Sequence, residues 1–315
     1  MFRDGLLRGK RILVTGGGSG LGREIAARYL ALGAEIAICG RRAPVLAEAA
    51  AALTAAHGGV VRTYPLDIRD AAAVDAAVER IWTETGPLDG LVNNAAGNFV
   101  SRTEDLSPRG FDAVANIVLH GTFFVTQAVG KRWIASRRPG TVVSIIVTWG
   151  RTGAPFVVPS AMAKSGVETM TKSLAIEWGR HGIRLNAIAP GVFPTAGAND
   201  RLSPKHRWTD KPALDPMRRV GRMEELQNLA AFLMADGVEW LTGETIAIDG
   251  AGHRRDGASF TDLADLTDAQ WAEMRAAIRA RDAADKATAD PAAPAAPADG
   301  AATGPADNGT TAGAN

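Results

Sequence analysis

Two short segments of this 315-residue chain have the residue types and spacing to do chemistry. The first, Thr15-Gly16-Gly17-Gly18-Ser19-Gly20-Leu21-Gly22, lies between an apolar β-type run and an amphipathic stretch. Its glycines let the backbone turn tightly and bring N–H groups close to a pyrophosphate, and the helix beginning near Gly20 offers its positive end to the same anion. The spacing of Gly16, Gly20 and Gly22 departs from the G-x-G-x-x-G form, yet the flanking strand and helix mark it as a dinucleotide cradle rather than a plain turn. A nicotinamide cofactor, and with it oxidoreductase chemistry, is the expectation. The second segment, Cys39-Gly40-Arg41-Arg42, closes the next β-type run. NAD-selective enzymes usually carry a carboxylate there to hold the adenosine ribose. Two guanidinium groups instead suit charge-assisted bonds to a 2′-phosphate, so NADP(H) is expected rather than NAD(H).

Such segments need a scaffold to position them. The β-type runs Arg11–Thr15, Glu35–Gly40 and Val60–Ile68 alternate with the amphipathic stretches Leu21–Leu32, Pro44–His57 and Ala71–Thr85. The alternation continues through a strand over Gly90–Ala96, a helical region around Phe111–Ser136, and strand-like Thr141–Thr148. A helix over Ser160–Arg180, a strand at Arg184–Ala189, an irregular stretch to about Arg222, a helix near Glu224–Ala235 and a last strand Glu244–Asp249 complete it. Repeated βα units predict an α/β fold: a single doubly wound Rossmann-type domain with a seven-stranded, mainly parallel sheet and helices on both faces. The domain is expected to occupy residues 1–285, with a lid-like insertion at about 192–222. Thr267-Asp268-Ala269-Gln270 reads as a capping box opening a C-terminal helix over about 268–281. Residues 286–315 are rich in Ala, Pro and Gly, with no large apolar side chain to bury, and are expected to be a disordered tail.

Composition excludes several classes of function. The 35 basic and 34 acidic residues nearly cancel, which argues against nucleic acid or an anionic membrane as a partner. The single cysteine, Cys39, rules out an internal disulfide and a multi-cysteine metal site, and the five histidines show no metal-ligand spacing, so no metal is assigned. No apolar run reads as long enough to cross a bilayer, and Met1–Lys10 lacks the apolar core of a signal peptide. A cytoplasmic location is expected.

Several ordered motifs between about Lys10 and Gly252 resemble those of the short-chain dehydrogenases/reductases. The glycine spacing is the family's. Asn93-Asn94-Ala95-Ala96-Gly97 is similar to its NNAG motif after the fourth strand, and Asp67, in Leu66-Asp67-Ile68, stands where the family contacts adenine. Pro190-Gly191 follows the sixth strand and leads to Thr195, which matches a position reaching the nicotinamide or phosphate side of the cofactor. The resemblance thus implies Thr15, Gly16, Gly18, Ser19, Gly20, Leu21, Gly22, Arg41, Arg42, Asp67, Ile68, Asn94, Ala95, Ala96, Gly97, Lys164, Pro190, Gly191 and Thr195 as cofactor-binding positions.

Most members of that family place a tyrosine four residues before a lysine, where the ammonium lowers the phenol's pKa for proton exchange with a carbonyl or alcohol. Here the stretch is Ser160-Ala161-Met162-Ala163-Lys164, and the chain's two tyrosines, Tyr29 and Tyr64, fall in other elements. A serine at this point resembles the 2,4-dienoyl-CoA reductases of the family. Ala95-Ala96-Gly97-Asn98-Phe99, Val157 through Lys164, Ser173 through Gly179, and Gln270-Trp271 resemble them too. The resemblance implies NADPH-dependent hydride transfer to the δ carbon of a conjugated dienoyl-CoA thioester in fatty-acid β-oxidation, then protonation at the α carbon to give a 3-enoyl-CoA. Such chemistry needs donors aimed at an oxyanion more than an acid at a carbonyl.

On this resemblance Asn98 donates to the thioester oxygen and Lys164 holds the nicotinamide ribose. Ser160 supports the same region, Phe99 lines the substrate, and Asn116 matches the family's structural and proton-relay asparagine. Part of the subfamily has a second oxyanion donor, a tyrosine, where this chain has Trp149. Indole N–H donates one hydrogen bond but is no acid near neutral pH. Three outcomes are open: Trp149 donates to the oxyanion, Asn98 acts with a water, or another acceptor is used. The first two are preferred, with activity below that of a tyrosine-bearing relative. The stretch Gly191–Arg222 carries Arg201, Lys205, Arg207, Lys211, Arg218, Arg219 and Arg222 against Asp200, Asp210 and Asp215, a charge suited to steering the phosphates of CoA. Alternative readings are a 3-oxoacyl or other carbonyl reductase, against which the missing tyrosine counts, and a cofactor-binding protein with impaired catalysis. Family members are commonly tetramers, so a homo-oligomer is expected.

Overall fold

Apolar runs form seven strands; the central ones are buried on both faces, the pattern of a parallel sheet covered by helices, while the edge strands are partly exposed. They are β1 (Arg11–Thr15), β2 (Glu35–Gly40), β3 (Val61–Pro65), β4 (Gly90–Asn93), β5 (Gly140–Ile145), β6 (Ile183–Pro190) and β7 (Thr245–Ile248). All six pairings are parallel, in the order β3-β2-β1-β4-β5-β6-β7. The computed structural model describes residues 1–195, 216–255, 266–273, 276–277 and 280. The chain divides into two units, Met1–Ala258 and Ser259–Asn315.

The crossovers are α1 (Gly20–Ala31), α2 (Ala43–His57), α3 (Ala71–Thr85), α4 (Pro108–Ala115), α5 (Thr122–Ser136), α6 (Trp149–Thr152), α7 (Val158–Trp178) and α8 (Met223–Met234), and the short α9 (Gly252–Arg255) follows the last strand. One face of the sheet is covered by α1, α2 and α8 through Ile25, Tyr29, Leu46, Leu226 and Leu233. The other is covered by α3, α5 and α7 through Val78, Ile81, Val129, Trp133 and Trp178. Buried Arg184, at the start of β6, donates to the carbonyls of Leu233 (3.0 Å) and Ala235 (3.2 Å), satisfying acceptors that the end of α8 leaves open.

Strand ends differ from the sequence pattern for local reasons. The third strand ends at Pro65 rather than running to Ile68, although the Leu66 N–H still donates to the Gly40 carbonyl of β2 at 2.9 Å. The fourth stops at Asn93, because the Asn94 amide turns to bond the glycine turn. The expected helical region around 111–136 is α4 and α5 joined by a π-helical turn, Asn116–Gly121. Gly121 there leaves room for Ile68, which an added Cβ would meet at 2.6 Å. By length and composition the run 108–136 is apolar enough to cross a bilayer, contrary to the sequence expectation, but 56% of its most apolar window is buried in the fold. It packs on α3, α7 and β4 as a core helix.

In the second unit residues 268–270 are helical and continue so through 273. Gln270 Oε1 accepts from Thr267 N–H at 2.8 Å while Thr267 Oγ1 receives Gln270 N–H at 3.4 Å, the reciprocal capping expected. Residues 196–215 of the lid-like insertion, and 281–315 with the expected tail, lie outside the described residues.

Candidate active site

A parallel sheet brings the C-terminal ends of all its strands to one edge, and the strand order reverses between β1 and β4, where such sheets open a crevice. The glycine turn sits there. Thr15 Oγ1 donates to the Val92 carbonyl (3.2 Å) and accepts from the N–H groups of Asn94 and Ala95 (both 3.0 Å), tying the end of β1 to the end of β4. Asn94 Nδ2 donates to the carbonyls of Thr15 (3.0 Å) and Gly16 (3.3 Å), so the turn is braced from the next motif. Gly16 (φ +65°) and Gly20 (φ +55°) occupy the left-handed region. Gly22 lies so close to Asn94 that a Cβ would run into its Nδ2 and come within 2.7 Å of the Gly16 carbonyl. Around Gly20 only Thr195 Oγ1, at 3.9 Å, approaches an added Cβ, and Ser19 makes no side-chain cap to the first turn of α1. Open space, uncapped helix amides and a positive helix end fit the pyrophosphate of a dinucleotide.

Arg41 and Arg42 are exposed just past β2. Asp67, past β3, is held by Arg69, whose Nη2 lies 2.5 Å from Oδ2. The Arg69 hydrogen bond, with the charge of Arg41 adding to it, keeps the Asp67 carboxyl below its ordinary range. Ile68 is buried beneath Gly121, a packing position. Ala95 stands beside Gly16, whose added Cβ would meet the Ala95 Cα at 3.0 Å, and Gly97 packs against Ile117.

Between the ends of β4, β5, β6 and β7 lies a cleft of about 690 Å³. Leu21, Asn94, Ala96, Asn98, Trp149, Ser160, Lys164, Pro190, Gly191 and Thr195 from the sequence-derived set all line it. The spacing Ser160 to Lys164 is one turn of α7, which stacks both side chains on the face toward β5. Both are buried, and Lys164 Nζ donates to the Ile145 carbonyl at the end of β5. Burial pushes the Lys164 ammonium down from its usual value to about 8. Asn98 Oδ1 accepts the Phe99 N–H at 2.9 Å, leaving the NH₂ of the carboxamide as its donor to a ligand. Trp149 opens α6 and is half-buried in the cleft wall.

Of the residues expected to act in catalysis or to bind substrate, two are not in this lining. Asn116 begins the π turn after α4, and Phe99 is 38% exposed outside the cleft. A π turn is a common feature near functional sites. Neither tyrosine is near: Tyr29 donates to the Ala230 carbonyl in the core (3.0 Å) and Tyr64 to Glu84 (3.0 Å).

The wall also contains residues that the sequence reading missed, Asp249 and His253. Their side chains are 6% and 8% exposed, and His253 Nδ1 lies 2.7 Å from Asp249 Oδ2. Asp249 also accepts the N–H groups of Ala251 (3.1 Å) and His253 (2.8 Å). The approach is possible because Gly191 has no side chain; a Cβ there would sit 2.7 Å from that of Asp249. The available signal was an aspartate immediately after the last strand with a histidine four residues on. Of the seven basic residues expected over the cleft, Arg201, Lys205, Arg207 and Lys211 fall outside the described residues. Arg219 and Arg222 are ion-paired with Glu225 at 2.7 and 3.2 Å, which locates them at the start of α8.

Residues 16–253 match the family model described as enoyl-(acyl carrier protein) reductase. A probable 2,4-dienoyl-CoA reductase, (3E)-enoyl-CoA-producing, from Caenorhabditis elegans is 42% identical over 89% of this chain and 93% of its own length. A probable (2E)-enoyl-CoA-producing 2,4-dienoyl-CoA reductase from Bacillus subtilis is 37% identical over 76% of this chain and 95% of its own length. Among solved structures, a short chain dehydrogenase from Bacillus anthracis superposes with a TM-score of 0.72 at 38% identity, covering 78% of this chain and 98% of that one. A gluconate 5-dehydrogenase from Burkholderia cenocepacia, in complex with NADP and tartrate, gives 0.74 at 29% identity over 78% of this chain and 96% of its own.

Proposed function

Because the chain belongs to the short-chain dehydrogenase/reductase family, with 2,4-dienoyl-CoA reductases among its relatives, we propose that it is an NADPH-dependent reductase of 2,4-dienoyl-CoA or a similar conjugated enoyl thioester. The observation that carries the reading is the cleft itself: donors converge on one volume, and no tyrosine belongs to it. When bound, NADPH supplies a hydride to the δ carbon of the substrate.

The chain's own groups do the rest. The turn from Thr15 to Gly22 holds the pyrophosphate, with Asn94 bracing it. Arg41 and Arg42 meet the 2′-phosphate, and Asp67 with Arg69 flanks the adenine side. Lys164 orients the nicotinamide ribose. The Asn98 NH₂ donates to the thioester oxygen, where the dienolate charge develops, and a donor preorganised for that oxyanion is worth more here than one aimed at the ground-state carbonyl. Trp149, which lines the same cleft, supplies a second donor through its Nε1–H. Ser160 extends the hydrogen-bonded region next to Lys164. Protonation at the α carbon gives the 3-enoyl product. We place this activity in fatty-acid β-oxidation, in a cytoplasmic homo-oligomer.

Loss of NADPH absorbance is followed with a 2,4-dienoyl-CoA, with a 3-oxoacyl-CoA and with no acyl substrate. Consumption with the dienoyl thioester alone is expected. Consumption only with the 3-oxoacyl thioester would establish a carbonyl reductase, and none with either would leave a cofactor-binding protein.

A further inference from the structure

Cofactor choice at the end of β2 involves more than two arginines, because a carboxylate shares their edge of the sheet. Strands β2 and β3 pair with Gly40 opposite Pro65, and the Leu66 N–H donates to the Gly40 carbonyl at 2.9 Å, so the chain leaves both strands side by side. Arg41 is the next residue on one, and Asp67 lies just past Pro65 on the other. The charge of Arg41 reaches the Asp67 carboxyl. Even so, Arg41 forms no ion pair among the described residues. Asp67 is turned instead onto Arg69. Its Oδ1 accepts the Arg69 backbone N–H (3.1 Å) and Nε–H (3.0 Å), and its Oδ2 accepts from Nε (3.0 Å) and Nη2 (2.5 Å). A two-pronged contact of this kind engages both oxygens and is the geometry in which an exposed ion pair keeps its strength. The next acid along the chain, Asp70, accepts the N–H groups of Ala72 and Ala73 at the start of α3 (both 3.0 Å) and so is directed away from the arginines.

A phosphate monoester carries a charge of about −1.5 to −2 near neutral pH. A carboxylate without a partner of its own on the same edge would oppose it twice, by repelling the phosphate and by drawing off the guanidinium that the phosphate needs. We propose that Arg69 is a positioning residue for cofactor choice: by engaging both oxygens of Asp67 it keeps that carboxylate off Arg41 and leaves the Arg41 guanidinium to the 2′-phosphate of NADPH. The inference rests on the reading of Arg41 and Arg42 as the 2′-phosphate site. NADH has an uncharged hydroxyl in that place, so the arrangement acts on NADPH selectively. Arg69 works through Asp67 and not by touching the phosphate, and the effect of losing it therefore depends on the Asp67 charge being present.

The test measures NADPH and NADH dissociation constants by fluorescence titration of the full chain, for wild type, Arg69→Ala, Asp67→Asn and the double variant, with Tm recorded for each. The quantity read is the ratio of the NADH constant to the NADPH constant, in which any adenine contact common to the two cofactors cancels. Arg69→Ala should lower this ratio about tenfold, the scale of one charge-assisted bond. Adding Asp67→Asn to it should return the ratio to within about twofold of wild type, the usual tolerance for additive free energies. Asp67→Asn alone should leave the ratio at or above the wild-type value. An unchanged ratio in Arg69→Ala overturns the proposal. So does a lowered ratio that Asp67→Asn fails to restore, because Arg69 would then meet the phosphate itself or merely hold the loop. Arg41→Ala, measured alongside, separates this failure from that of the underlying reading. A wild type that does not favour NADPH, or an Arg41→Ala variant with the wild-type ratio, overturns the 2′-phosphate site and the proposal with it; a wild type that selects NADPH through Arg41 but is indifferent to Arg69 overturns the proposal alone.

Discussion

Replacing Gly22 by alanine adds one methyl group, and the structure says where it must go. In an ordinary helix interior the change stabilises by about 0.5–1 kcal/mol. In α1 the new Cβ would overlap Asn94 Nδ2 and approach the Gly16 carbonyl to 2.7 Å, and neither can retreat cheaply. The Gly16 carbonyl is backbone, and Asn94 Nδ2 is spanned between the carbonyls of Thr15 and Gly16. Moving Asn94 loses two hydrogen bonds at about 1 kcal/mol each, and the overpacking costs about 1–3 kcal/mol more. After subtracting the helix gain, the net destabilisation is about 2–4 kcal/mol on these principles. For a unit of this size that corresponds to a fall in Tm of roughly 4–16 °C. Because the displaced atoms brace the pyrophosphate turn, NADPH affinity should fall at least about tenfold, equivalent to about 1.4 kcal/mol. Thermal unfolding with and without NADPH, together with a fluorescence titration, measures both. An unchanged or raised Tm with unchanged affinity would refute the placement of Asn94 behind the turn.

Further expectations concern the cofactor and the cleft. The apo protein binds the Lys164 proton less tightly folded than unfolded, so its stability should rise with pH from about 8 to above 10 relative to Lys164→Met, by about 3 kcal/mol at most. Denaturant unfolding of the pair across that window checks it; parallel curves would mean that Lys164 is not buried as an ammonium. Arg41→Ala should weaken NADPH binding by about tenfold or more, the scale of a charge-assisted bond, and leave NADH binding nearly as it was; equal effects on both would count against a 2′-phosphate contact. Trp149→Tyr should raise dienoyl-CoA turnover, since a phenol is the better oxyanion donor, and steady-state rates that stay level or fall would remove Trp149 from the oxyanion.

Much of this arrangement was legible in the sequence because it rests on local chemistry. Positive φ at Gly16 and Gly20, the strand before them and the helix after them are properties of a short segment, and the turn is where the pattern put it. The one-turn spacing of Ser160 and Lys164 survives for the same reason, since helix geometry alone puts them on one face. The seven strands and their covering helices follow from apolar runs whose ends moved by only a few residues, at Pro65 and at Asn93, after which the Asn94 amide is diverted to Thr15.

Other features depended on residues far apart in the chain. The π turn at Asn116–Gly121 is coupled to Ile68 across the fold, and no periodicity in its own segment announces it. Arg132 is likewise tied to Asp75 and Glu79 on α3, more than fifty residues away, at 2.8 and 3.0 Å. Asp249 and His253 are the clearest case. In the sequence they are an acid and a histidine beyond the last strand; in the fold the absence of a side chain at Gly191, just past β6, lets Asp249 come close enough to share a wall with Lys164 from α7. By itself the sequence determined the dinucleotide turn, the parallel α/β scaffold and the loss of the tyrosine, all consequences of local spacing and residue type. Only tertiary structure decided which other residues join Ser160 and Lys164 in the cleft wall, because that wall forms where the ends of β5, β6 and β7 and the start of α7 pack together.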